Sequence, residues 1–168
     1  MKEPKVKRIT GILYPDDNFL EWSINRLSEI WGKPELLSTP VKFDKTDYYD
    51  YISPDLTRIF LSFPGLVNAG GLADWKHEAI EIEALSRQPV RAVNIDPGYV
   101  DGARLILAST KDHAHRIYLR DGIYGEVTMR YRFRKWQSFD YTFPDFASGC
   151  YDDFLLKVRK SWLREIKE

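Results

Sequence analysis

The chain is almost without cysteine, with one residue, Cys150, in 168. No intrachain disulfide can form, and nothing demands an oxidising compartment. Neither sign of charge is in excess, with 25 Lys plus Arg against 25 Asp plus Glu. A chain-wide field that would steer nucleic acid is therefore missing, and any anion-binding surface must be a local patch. No apolar run approaches the ~18 residues that a membrane-spanning helix needs. The N-terminal MKEPKVKRITGILYP carries charges but no apolar segment of signal-peptide length. These absences predict a soluble cytoplasmic protein with no membrane partner.

Several catalytic signatures are missing too. There is no GxSxG nucleophile elbow, no HExxH, no CxxC and no GxGxxG. Residues 65–72, GLVNAGGL, copy the glycine spacing of a P-loop. They lack the Lys and Ser/Thr that contact phosphates and Mg²⁺. The STKD at 109–112 falls one residue short of a guanine-specificity motif. A P-loop GTPase is excluded.

What is present is a core. Hydrophobic residues make up 43% and aromatics 14%, and a chain of this size buries roughly 70% of its unfolded surface. One domain over 1–168 is the simplest organisation. Residues 7–14 read as a β-branched strand closed by Pro15. Asp16 and Asp17 can cap a helix whose Leu20, Ile24, Leu27 and Trp31 share a face, with Gly32 and Pro34 ending it. A second strand spans 36–43, with Pro40 pushing it to an edge or bulge. Segment 46–54 reads as a loop and 57–63 as a third strand. Residues 72–87 alternate like a strand in IEIE (80–83), but Trp75, Ala79, Ile82 and Leu85 fit a helix, which the length favours. The fourth strand is 90–95. Strands follow at 104–110, 115–119 and 122–133, with a hairpin signal at Arg120-Asp121-Gly122. A terminal helix covers 150–167, with Tyr151, Leu155, Val158, Trp162 and Ile166 as its stripe. The expected fold is α+β: a mainly antiparallel sheet of ferredoxin-like βαββαβ order, an added C-terminal β-hairpin and a C-terminal helix.

Four stretches carry chemistry. In NIDPGY (94–99), Asn94 and Asp96 share one strand face, and Pro97-Gly98 suits a type II turn ending the strand. The stretch is a tight turn, or an amide and a carboxylate at a sheet rim beside Tyr99. Residues 110–116 hold Lys111, Asp112, His113, His115 and Arg116. They form a solvated loop, an anion contact, or an H-x-H metal site. In 123–134, Ile123, Gly125, Val127, Met129, Tyr131 and Phe133 face the core. The opposite face carries Tyr124, Glu126, Thr128, Arg130, Arg132 and Arg134. The arginines bind phosphate or discourage edge pairing, Tyr124 can stack a ring, and Glu126 is a base or a counter-ion of Arg130. In DKTDYYD (44–50), Tyr48 and Tyr49 plug the sheet, or Asp44 and Asp47 join Asp96 and Glu126 in a carboxylate cluster. Cys150 reads as a buried small residue.

NIDPGY, with FDKTDYY, LASTKDHAHRIYL, GIYGEVTMRY, FDYTFPDF and the first strand, resembles domain of unknown function 4416. That prokaryotic family carries an Asn-Leu-Asp-Pro-Gly-Tyr hallmark, and here Ile95 replaces the Leu. The resemblance covers nearly the whole chain. It implies a compact single-domain cytosolic protein and brings no activity, cofactor or catalytic residue.

Three functions compete. The first is a small enzyme or ligand-binding protein for a phosphate-bearing small molecule or nucleotide. Its catalytic residues would be Asp96, His115 and Glu126, and its ligand-binding residues Asn94, Tyr99, Lys111, Arg116, Tyr124 and Arg130. The second is a metal-dependent hydrolase-like site on His113, His115 and nearby carboxylates. The third is a non-catalytic RNA-binding or protein-interaction module. The first is favoured because most polar motifs fall within 94–130. It assigns no metal ligand and no cofactor.

Overall fold

The computed structural model describes residues 2–44 and 46–168. Lys45, inside the FDKTDYY segment, lies outside the described residues. The chain runs β1 (Lys5–Tyr14), α1 (Asp17–Trp31), β2 (Leu36–Leu37), β3 (Val41–Lys42), β4 (Thr57–Ser62) and β5 (Val67–Asn68). A 3₁₀ turn (Ala69–Gly71) then leads into α2 (Leu72–Ser86) and β6 (Asn94–Val100). After β7 (Arg104–Ser109) come β8 (Arg116–Arg120), β9 (Ile123–Arg132), β10 (Lys135–Ser138), α3 (Pro144–Ala147) and α4 (Asp152–Glu165). The strands make one sheet of order β10-β9-β7-β6-β1-β4-β2, with β3 also on β4, β5 on β1 and β8 on β9. All the pairings are antiparallel. The fold is α+β with a C-terminal helix, as the sequence predicts.

Local signals explain the ends of α1. The Asp16 side chain accepts from the Phe19 amide at 2.9 Å, satisfying one donor of the first turn. Gly32, at φ +89°, ends the helix, a conformation that suits glycine. The Asp121-Gly122 turn has both residues at positive φ, as a two-residue hairpin between right-twisted strands requires.

Both sheet faces are covered. The first buries Ile12, Leu27, Trp31, Ile59, Leu61, Phe63, Ala79 and Ile95 under α1 and α2. The second buries Ile9, Phe60, Val100, Leu105, Met129, Trp136, Phe154 and Leu155 under α4. Phe60 meets the rings of Phe146 and Tyr151 at 5.5 and 4.8 Å. Each such side chain stabilises by about 1.5–3 kcal/mol. At one end of the sheet, fully buried Lys7 joins Glu35 at 3.0 Å and Glu165 of α4 at 2.9 Å.

Several expectations are corrected. The second strand is split into β2 and β3, two residues each, with Pro40 between them. Residues 90–93 are not strand; the fourth strand starts only at Asn94. Leu85 does not join the buried stripe of α2, where Lys76 and Glu83 do. Ile166 is exposed, and so is Cys150. In β9 the register to β7 shifts between Leu105 and Ile106. Such a bulge reverses which face later residues take. Ile123 therefore packs under α2, Met129 packs with α4, and Val127 is exposed. β9 stops at Arg132, and Phe133 and Arg134 form the turn into β10, so the three arginines do not share one strand.

The largest correction concerns NIDPGY. It is not a turn: all six residues lie in β6, pairing with β1 from Leu13↔Asn94 to Ile9↔Gly98 and beyond. Proline is tolerated there because β7 joins β6 only from Gly98 onward. The Ile95 amide and carbonyl both bond away from β1, to α2 side chains. Pro97, two residues on, points its nitrogen to that same unpaired side and forfeits no ladder bond. Gly98 then permits the close approach of β7. A Cβ there would sit 2.1 Å from the Ile106 carbonyl oxygen.

Candidate functional site

The divergence of β6 from β7 leaves a strand edge inside the molecule, and α2 fills it. Glu83 Oε2 accepts from the Ile95 amide at 2.6 Å, and Lys76 Nζ donates to the Ile95 carbonyl at 3.0 Å. These buried charges replace the missing ladder bonds, which is why both stand on the inner face of α2.

From there a chain of opposite charges crosses the sheet. Lys76 Nζ lies 3.3 Å from Asp96 Oδ1. Asp96 Oδ2 accepts from Asn94 at 2.8 Å and from Arg58 at 3.0 Å. Arg58 also donates to Asp145 Oδ2 at 2.8 Å, and the Tyr151 hydroxyl donates to that same oxygen at 2.8 Å. Glu83 Oε1 accepts from Arg91 at 2.7 Å, and Arg91 donates to the Tyr51 hydroxyl at 2.6 Å. Burial pushes the Asp96 carboxyl up, but Lys76 and Arg58 outweigh it and hold the group below its ordinary range. Burial opposes the Arg58 charge in the same way, and Asp145 leads the groups that overcome it. Gly11, opposite Asp96 in β1, leaves room for this crossing. A Cβ there would lie 2.9 Å from the Phe60 ring and 3.5 Å from Arg58 Nε.

Above this network lies a cavity of about 120 Å³. Its wall includes Lys76, Arg91, Lys111 and Arg116 against two carboxylates, Glu83 and Asp96. Both carboxylates are engaged at each oxygen, so the excess charge is positive. Tyr48, Tyr49 and Tyr51 close it from the segment between β3 and β4. That segment is anchored by Phe43, Ile52 and Leu56 on Leu13. Burial, with Asp96 nearby, pushes the Tyr49 phenol well above its ordinary value. Lys111 Nζ sits 3.9 Å from the Tyr48 ring centroid, a cation–π contact. No carboxylate among the described residues pairs with Lys111.

A second hollow of about 60 Å³ continues from the first, sharing Tyr49, Asp96, Ser109, Arg116 and Phe143, and adds Arg58, Glu126 and Thr128. Arg116 stands between the two. Its Nε donates to Glu126 Oε1 at 3.1 Å and its Nη1 to Ser109 Oγ at 3.0 Å. Glu126 Oε2 accepts from Thr128 at 2.7 Å. His115 Nε2 lies 2.8 Å from Glu126 Oε1, and its ring stacks on Tyr141 at 4.0 Å. The carboxylate and the tyrosine together fix the imidazole plane.

The structure thus brings Asn94, Asp96, Lys111 and Arg116, with His113, to the first cavity and Glu126 to its extension, while His115 lines neither hollow and touches Glu126 from behind it. Three sequence candidates stay outside. Tyr99 points to the opposite face, into a surface groove with Leu72 and Ile106. Tyr124 packs edge-on against Tyr118 at 5.2 Å. Arg130 bonds to Gln137 on the outer sheet. Glu126 pairs with Arg116 and His115, not with Arg130. Asp44 and Asp47 line a separate hollow with Asp50 and Asp55 and do not join Asp96. Among the described residues no group of three or more His, Cys, Asp or Glu is placed to hold a metal.

Five residues escaped the sequence reading: Arg58, Lys76, Glu83, Arg91 and Asp145. Two left a signal. Arg58 interrupts an otherwise apolar strand, and Lys76 and Glu83 fall on the helical face defined by Leu72 and Ala79.

The molecule is thus an α+β protein whose antiparallel sheet splits at its centre beside a cationic, tyrosine-covered cleft. The chain belongs to the family described as domain of unknown function DUF4416, whose model matches residues 4–162. No curated protein and no solved structure matches it. No helix among the described residues is long and apolar enough to cross a membrane.

Proposed function

We propose that the cleft binds a small anion bearing a phosphate group, and that His115, in contact with the lining residue Glu126, moves a proton beside it. The observation that carries this is the charge imbalance of the cavity wall. Lys111 and the outer edge of Arg116 face a space whose carboxylates are already engaged by Lys76, Arg58 and Arg91. A phosphate suits such a wall because guanidinium and ammonium donors give it short, charge-assisted bonds. The volume restricts the choice. Cavities for drug-sized ligands occupy roughly 300–1,000 Å³, and the two hollows are far smaller. In this conformation they suit a phosphate head with a short polar tail rather than a whole nucleotide. Ser109 and Thr128 offer hydroxyls to such a tail.

Roles within the site then divide. Asp96 and Glu126 have every oxygen engaged, so they position their neighbours. His115 keeps Nδ1 outside the Glu126 contact and is the group suited to general acid–base work.

A thermal-shift titration with inorganic phosphate and small phosphate monoesters tests the reading. A ligand at ~100 times its dissociation constant adds about 2.7 kcal/mol, which raises the midpoint by about 5–10 °C for a chain of this size. Lys111→Ala should shrink that shift without lowering the midpoint of the free protein. A flat response to every phosphate compound refutes the proposal.

A further inference from the structure

The cleft leaves a second charged surface unexplained, on the outer part of the sheet that α1 and α2 do not reach. Arg104 pairs across to Arg130, and Arg132 pairs across to Lys135. Arg130 and Arg132 are two residues apart on β9 and so share a face. The four cations therefore lie on one face of β7, β9 and β10, opposite the side on which Met129 and Trp136 are buried. Arg104 is joined to Asp101 at 3.3 Å, and Arg130 only to the neutral Gln137 at 3.3 Å. Among the described residues Arg132 and Lys135 have no carboxylate partner. A chain of zero net charge has collected here a basic patch in which only Arg104 has a carboxylate partner.

The patch ends in an exposed aromatic. Phe133 and Arg134 form the two-residue turn from β9 to β10, at φ +54° and +61°. Asn and Gly adopt that conformation with least strain. Phe and Arg do not, and the Phe133 ring gains no burial in return, since it is 74% exposed. The Arg132 guanidinium lies 4.6 Å from the centroid of the ring and covers one side. Strain retained at a position with no packing benefit is characteristic of a binding site.

We propose that this hairpin tip and the basic face behind it bind single-stranded nucleic acid, with a base stacked on Phe133 and successive phosphates on Arg132, Lys135 and Arg130. Stacking on an aromatic ring beside a guanidinium is tolerant of sequence, and a flat cationic sheet tracks a backbone. A lipid surface would reward several apolar side chains at the tip, and the turn offers one. The proposal does not depend on the cleft.

The experiment uses the full chain with fluorescein-labelled oligo(U) and oligo(dT), read by fluorescence anisotropy. Affinity should fall steeply with salt. Each phosphate neutralised on a single strand contributes roughly −0.7 to the log–log slope, so three or four contacts give about −2 to −3. Phe133→Asn is the decisive variant. It suits the turn better, so its melting temperature should equal or exceed that of the parent. Binding should nonetheless weaken about 5- to 150-fold, the worth of one stacked base. Arg132→Ala with Lys135→Ala should lower the slope by about 1–1.5. The proposal is overturned by absent oligonucleotide binding at low salt, or by binding that these variants leave unchanged. Binding of vesicles rich in anionic lipid through the same residues, without oligonucleotide binding, also overturns it and makes the tip a membrane contact.

Discussion

Replacing Arg58 by Met should cost about 3–5 kcal/mol at neutral pH, the range for breaking a buried ion pair by removing one partner. Arg58 is 3% exposed and holds two carboxylates at once, Asp145 at 2.8 Å and Asp96 at 3.0 Å. Methionine occupies much of the same space among Phe43, Phe60 and Phe146, whose rings the guanidinium approaches within 5.1–5.4 Å. The loss is therefore chiefly electrostatic. Asp96 keeps Lys76 and Asn94, whereas Asp145 keeps only the Tyr151 hydroxyl and already has one buried oxygen without a partner. Urea unfolding should show the deficit, and the thermal midpoint should fall by about 6–20 °C. Adding Asp145→Asn to Arg58→Met should recover a large part of it, because no charge is then stranded at that end. The pH dependence follows from Asp96, whose folded pKa lies below the ordinary 3.8. A carboxyl depressed in this way contributes its full stability above 3.8 and loses it as the pH falls toward the folded value. The gap between parent and variant should thus narrow in acid. An Arg58→Met protein within about 1 kcal/mol of the parent at pH 7, inside the range of ordinary surface changes, would refute the reasoning. So would a deficit that stays constant down to pH 3.

Other changes probe the split between β6 and β7. Gly98→Ala places a Cβ 2.1 Å from the Ile106 carbonyl oxygen, and backbone cannot yield as a side chain can; a loss of about 3 kcal/mol or more should appear in chemical unfolding. Glu83→Ala removes the acceptor of the Ile95 amide. Leaving that buried donor unpaired should cost about 1–3 kcal/mol, and hydrogen exchange at Ile95 should speed up while Glu83→Gln largely preserves its protection. The Lys111→Ala thermal shift and the Phe133→Asn anisotropy titration complete the set. The first should abolish most phosphate stabilisation at unchanged basal stability, and the second should separate binding from folding.

Features set by neighbours a few residues apart were legible in the sequence. Asp16 and Gly32 mark both ends of α1, and Asp121-Gly122 forms the hairpin it predicts. The 3.6-residue period locates α2 and α4 to within a few residues, and the α+β class follows from the same signals. The family was legible as well, from NIDPGY and the motifs that accompany it. Asn94, Asp96, Lys111, Arg116 and Glu126 could be picked out as lining one cleft because the sequence crowds them into a short polar region.

The rest was not legible there, because the interactions concerned join residues far apart in the chain. Pro97-Gly98 looks like a turn from its own chemistry. It becomes strand because β1 pairs along it while β7 stands off as far as Pro97 and closes in only at Gly98, which no local preference encodes. The bulge in β9 that sends Met129 and Ile123 to opposite faces depends on the register with β7. The partner of Arg58, Asp145, lies 87 residues away, and Lys76 and Glu83 are buried only because a strand edge 12–20 residues downstream needs their charges. Conformational preference acts over a few bonds and can be read from neighbours. Desolvated charge finds its counterpart only when the whole chain has closed around it.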